Sequence, residues 1–243
     1  MTRSSDREPL DPELASLLES AEADGPPPDL GELYAGLQGR IRAAEASPLA
    51  RLRAQPTWRR RTLGIGAIVL VVTLSTVLRP RPDLDAYPLP YLLLHVASLG
   101  ALLAVCAFAA LRPLHRPALS RVTSVGLGAL AIGASVLLAV APGLHEHAVE
   151  LDGIPLWRHA TPCLAHGLAV GLPLYAALRA LDRGNILGRV LAASAAGLAG
   201  NLALALHCAI GGAPHLLSGH VGVVASFVVG TLLVELALQR KHA

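Results

Sequence analysis

Three cysteines and ten histidines carry most of the chemical capacity of this 243-residue chain. Cys163 and His166 are three apart, so on a helix they share a face. His207 and Cys208 are adjacent, so at most one of them points the same way unless the helix frays there. His215 and His220 follow closely. Thiolate and imidazole are good ligands for zinc and related soft or borderline metals. Cys163, His166, Cys208, His215 and His220 therefore form a metal-ligand set to test, although their spacing is not that of a zinc finger. Cys163 and Cys208 could instead pair as a disulfide on an oxidising side of a membrane. A plainer alternative is interfacial histidines hydrogen-bonded to water and headgroups, with buried cysteines acting as small apolar residues. The chain shows no paired carboxylates, no GxSxG, no HExxH and no phosphate loop, which argues against an enzyme.

The elements that would position these residues follow from composition. The chain is 53% hydrophobic but only 3% aromatic. Ala, Leu, Val and Gly carry the apolar content, as expected of a helical membrane protein packed through small residues. Charge-free runs begin at Thr62. They cover Thr62–Leu78, Ala86–Leu111, Val122–Leu144, Ala160–Leu178 and Val190–Val234. The last is too long for one span, and Gly211-Gly212-Ala213-Pro214 cuts it in two. The fold class predicted is all-α: six transmembrane helices over residues 62–238, behind a partly disordered N-terminal head (1–61) and before a short tail (239–243). Gly167 and Gly171, Gly197 and Gly200, and Gly126, Gly128 and Gly133 are expected to let helices approach closely. Asn201 is expected to bond across helices, and Glu235 to pair with an Arg. No signal peptide is visible, because the first apolar run lies far from the start.

The net charge of +3 divides unevenly. Met1–Ala50 holds ten Asp/Glu against four Arg, about −6, so the remainder carries about +9. Alternate connections hold 13 of the remaining Lys/Arg, whereas the opposite side holds Arg79, Arg81 and Arg158. The positive-inside rule then puts both termini in the cytoplasm. It also gathers eight of the ten histidines, with Cys163 and Cys208, at the outer face. The basic excess reads as a topology signal rather than a nucleic-acid patch.

The acidic head contains two helical patterns. Leu14, Leu17 and Leu18 (with Leu10) form one; Leu30, Leu33, Tyr34, Leu37 and Ile41 form the other, behind Asp29. Pro26-Pro27-Pro28 separates them. Both suit a partner's groove.

Thr161-Pro162-Cys163-Leu164, the short Arg179–Gly184 loop, and the Ala/Gly-rich helix ending in Leu206-His207-Cys208 resemble the NrsF family of six-span bacterial anti-sigma factors. The resemblance is clearest over Thr161–Cys208. It implies an inner-membrane regulator whose cytoplasmic N-terminal segment sequesters an extracytoplasmic-function sigma factor. It also implies stress sensing at Cys163 and Cys208, with His207 beside the second. The head differs in being long and Pro-interrupted, and His215–His220 is not part of the family pattern. The alternative is a small membrane metal-binding or redox protein using the same Cys/His cluster, with zinc or a similar metal as cofactor. In either case the lipid bilayer is a partner and nucleic acid is not bound directly.

Overall fold

In a computed structural model of the protein, residues 30–85, 87–113, 119–141, 153–182 and 186–240 are described. Among them every regular element is helical. Contacts divide the chain into two units, Met1–Ala50 and Arg51–Ala243.

In the first unit, α1 (Leu30–Ala46) follows the apolar spacing predicted for the second head segment. Its Tyr34 and Leu37 side chains are exposed. Leu14, Leu17 and Leu18 lie outside the described residues. The short α2 (Pro48–Ala54) begins where Ser47 Oγ accepts a hydrogen bond from Ala50 N.

The second unit contains six helices long and apolar enough to cross a membrane. They are α3 (Thr57–Leu78), α4 (Leu89–Ala110), α5 (Arg121–Val140), α6 (Leu156–Leu181), α7 (Ile186–Ala205) and α8 (Ala213–Arg240). The long apolar run breaks after Ala205 and resumes at Ala213, where the Gly-Gly-Ala-Pro sequence predicts it. Proline marks the starts. Pro56, Pro88 and Pro155 cap α3, α4 and α6, positions where a missing N–H costs no helical bond. Ser120 caps α5 and accepts from Thr123 N. α3 starts five residues before the charge-free run, so Arg59, Arg60 and Arg61 lie in its first turns.

α7 is the centre of the bundle. Its spanning window is 89% buried, against 22–39% for the other five. It also has the lowest mean hydropathy of the six, 1.3. That inversion is physical. In a bundle that crosses a membrane, outer helices would meet lipid and need large apolar side chains, whereas a central helix meets mostly protein and needs small ones. A Cβ on Gly200 would lie 2.4 Å from the Gly167 carbonyl oxygen, so α6 and α7 touch through backbone. Gly128 packs against side chains of α7 and α8: a Cβ there would lie 3.1 Å from Val228 Cγ1 and 3.5 Å from Ser194 Oγ. Gly126 and Gly133 do not: a Cβ there meets nothing within 4 Å, which corrects the expectation that all three α5 glycines pack. They lie on the side of α5 turned away from α7 and α8, where glycine is not required.

Two polar expectations are met. Asn201 on α7 donates to Ser135 Oγ on α5 at 3.0 Å, and Arg189 on α7 pairs with Glu235 on α8. The Arg59–Arg61 run adds a feature that charge counting does not reveal. Arg60 is buried, and its guanidinium donates to Leu181 O at 2.9 Å and to Arg112 O at 3.1 Å. These carbonyls close α6 and follow α4, where helix ends leave acceptors without intrahelical partners and carry partial negative charge. Arg53 reaches Arg179 O in the same region. One end of the bundle is thus held by arginines; the other holds the cysteines and histidines.

Candidate Cys/His site

Four elements converge on Cys208. It lies in the connection after α7, held against the C-terminal end of that helix by its own N–H, which donates to Leu204 O at 2.7 Å. Arg81, from the connection between α3 and α4, braces the same helix end. It donates to Ala205 O at 3.2 Å, chelates Asp83 through two nitrogens, and lies 4.1 Å above the Tyr87 ring. α6 brings Cys163, whose Sγ stands 3.6 Å from Cys208 Sγ. α8 brings His215, with Nε2 at 3.3 Å from Cys208 Sγ, and His220, whose ring centroid lies 5.6 Å from that of His215.

The start of α8 contains one turn of π-helix, Leu216–Val221. Residues five apart on an α-helix diverge by about 140°. An i→i+5 turn sets them one above the other instead, so both His215 and His220 reach the sulfur pair. Gly219, within this turn, sits against Cys163: an added Cβ would lie 3.3 Å from the Cys163 Cβ.

One ligand atom from each of Cys163, Cys208, His215 and His220 lies within 4.8 Å of every other. In tetrahedral zinc coordination the edges are about 3.8 Å between two sulfurs and about 3.6 Å between sulfur and nitrogen. The Cys163–Cys208 and Cys208–His215 edges, 3.6 Å and 3.3 Å, are already close to those lengths. The Cys208 thiol is held below the usual thiol range, chiefly by the hydrogen bond from Cys163, against the opposing effect of burial. A thiolate is the form that binds metals. A cavity of about 20 Å³, lined by Arg81, His95, Cys208 and His220 among others, adjoins the group and is large enough for one water.

The remaining predicted residues fall elsewhere at this end. His166 Nε2 is 2.9 Å from Ser75 Oγ, and its ring stacks at 4.9 Å on that of His207. His207 Nδ1 meets Arg79 O at 2.8 Å. These two histidines thus tie α3 to α6 and to the α7 connection, apart from the four-residue group. His159, one turn before Cys163 on α6, contacts His215 through two Nδ1 atoms 2.8 Å apart. Spacing with Cys163 fits His159 as well as His166; only the position of α8 separates them. Cys106 is buried within α4 and takes no part. His145 and His147 lie outside the described residues.

With this geometry in place, comparison with known proteins decides the family. Residues 43–239 match the family model described as NrsF, negative regulator of sigma F. The chain belongs to the NrsF family. No curated protein and no solved structure matches it. The match covers all six spanning helices and the whole Cys/His group. It begins inside α1, so most of the acidic head precedes it. The NrsF description points to negative regulation of a sigma factor, and to a sigma factor as partner.

Proposed function

We propose that this protein is an inner-membrane anti-sigma factor with both termini in the cytoplasm. Its head holds an extracytoplasmic-function sigma factor and releases it on a signal received at the periplasmic Cys/His end. The apolar stripes Leu14, Leu17 and Leu18, and Leu30, Leu33, Tyr34, Leu37 and Ile41, supply the contact. The exposure of Tyr34 and Leu37 on α1 supports that reading. The head's charge of about −6 favours encounter with a basic partner. In this reading the Cys/His group is a receptor for a ligand rather than a catalytic centre.

The observation that carries the sensing half is the convergence of Cys163, Cys208, His215 and His220. The metal reading follows from charge. Two thiolates and two neutral imidazoles balance a divalent ion to zero net charge, which suits a buried site at the edge of a low-dielectric bundle. Zinc(II) or a similar borderline ion fits this donor set. His207 contributes by holding the Cys208 connection to the end of α3. A disulfide between Cys163 and Cys208 is a second way to read the 3.6 Å sulfur pair. It would shorten that distance to about 2.05 Å and need an oxidant.

The test uses the full chain in detergent. It should co-purify with its sigma factor and take up one zinc per chain, and zinc should lower sigma capture. Absence of sigma capture at micromolar concentration would refute the regulatory reading. Stoichiometric metal retained in Cys163→Ser with Cys208→Ser would refute the metal reading.

A further inference from the structure

His215 is 1% exposed, and both of its ring nitrogens are engaged. Nε2 faces Cys208 Sγ at 3.3 Å, and Nδ1 faces His159 Nδ1 at 2.8 Å. Two imidazole nitrogens at that separation share one proton, so one ring donates and the other accepts. The direction of that bond decides whether His215 can bind a metal. If His159 donates, His215 Nδ1 is the acceptor, its proton sits on Nε2, and Nε2 has no lone pair for a cation. If His215 donates through Nδ1, Nε2 is free to ligate and His159 must carry its own proton on Nε2.

We propose that His159 is a positioning residue that accepts from His215 Nδ1–H and so holds His215 in its metal-ligating tautomer. This rests on the metal reading of the Cys163, Cys208, His215 and His220 group. Metal-binding histidines characteristically donate their second N–H to a fixed acceptor, which orients the ring and raises its basicity. Carboxylates and carbonyls usually fill that role. Here an imidazole fills it. The fold explains how. His159 and Cys163 are four apart on α6, so one helical face delivers both a ligand and the acceptor for another ligand. His215, the residue just before the π turn, lies against both.

The experiment uses the full chain in detergent, with Co(II) as an optical probe and Zn(II) as competitor. His159→Leu removes the acceptor; His159→Asn restores one, because Asn Oδ1 occupies nearly the place of Nδ1. Co(II) affinity should fall roughly 10–100-fold in His159→Leu, the range for loss of an outer hydrogen-bond partner. Stoichiometry and thiolate-to-cobalt absorption should persist, and His159→Asn should stay within a few-fold of the parent. Equal affinity in His159→Leu and the parent overturns the proposal. So does an Asn variant as weak as the Leu variant, since packing alone would then explain the loss. Nitrogen-15 imidazole spectra of the Zn(II)-loaded parent give a readout that needs no variant to fold. They should show the proton on Nδ1 of His215 and on Nε2 of His159; a proton on Nδ1 of His159 overturns the proposal. Failure of the parent to bind either ion would defeat the metal reading itself, and with it this inference, and appears separately in the parent arm.

Discussion

At the residue scale, the function of each histidine depends on what stands across from it. His166 and His159 flank Cys163 at helical spacings of three and four, and both are compatible with its face. The structure gives His166 to Ser75 and His207, and His159 to His215. Sequence spacing identifies the pool of ligands and cannot rank them, because ranking depends on which second helix packs there. Metal affinity should follow the structural division. Cys208→Ser and His215→Leu should each cost more than the roughly 10–100-fold assigned to an outer partner, read by Co(II) titration. His166→Leu should change it by no more than a few-fold. A large loss in His166→Leu would place His166 among the ligands.

At the element scale, helix count, the Gly-Gly-Ala-Pro break and an interhelical bond at Asn201, though not its Ser135 partner, are legible because membrane spans are set by length, hydropathy and rare polar residues. The centrality of α7 is less legible. Its Ala/Gly/Ser content signals close packing, but Gly126 and Gly133 send the same signal from α5 and face open space. A Leu at position 200 would drive a side chain into the Gly167 backbone. Gly200→Leu should therefore destabilise the bundle by about 3 kcal/mol, the upper range for overpacking. Gly133→Leu should lie within about 0.5 kcal/mol of the parent. Thermal unfolding in detergent measures both. The π turn is invisible in the sequence, since Leu216–Val221 has no composition that distinguishes it from α-helix. It behaves as one inserted residue. Deleting Ser218 leaves His215 and His220 four apart, about 40° from alignment on an α-helix, and keeps the register of Gly222–Arg240. The deletion should retain Co(II) binding, whereas His220→Leu in the intact turn should lose it.

At the scale of the whole molecule, the question is how an event at the cysteines could alter what the opposite end does. α6 supplies a continuous element for it. Cys163 lies near one end, and the carbonyls of Arg179 and Leu181 at the other end accept from Arg53 and Arg60. α8 runs likewise from His215 and His220 to Glu235, which meets Arg189. Drawing Cys163 toward the α8 histidines would reset the seating of both helices, whose far ends are gripped by Arg53, Arg60 and Arg189. The two halves of the proposed function then separate by mutation. Tyr34→Asp with Leu37→Asp should reduce sigma capture by at least about tenfold, the effect of losing about 1.4 kcal/mol, and leave metal uptake unchanged. Cys163→Ser with Cys208→Ser should leave capture intact and abolish its response to metal. Capture should also weaken between low and high salt, because an acidic head acting on a basic partner is screened over a Debye length. A pull-down of the sigma factor by each full-length variant, with and without zinc and at two ionic strengths, reads capture, its metal response and its salt dependence, and Co(II) titration reads metal uptake. If the head variant captured normally, the contact would have to lie elsewhere in the chain. If the cysteine variant still released on zinc, the signal would enter through a different site.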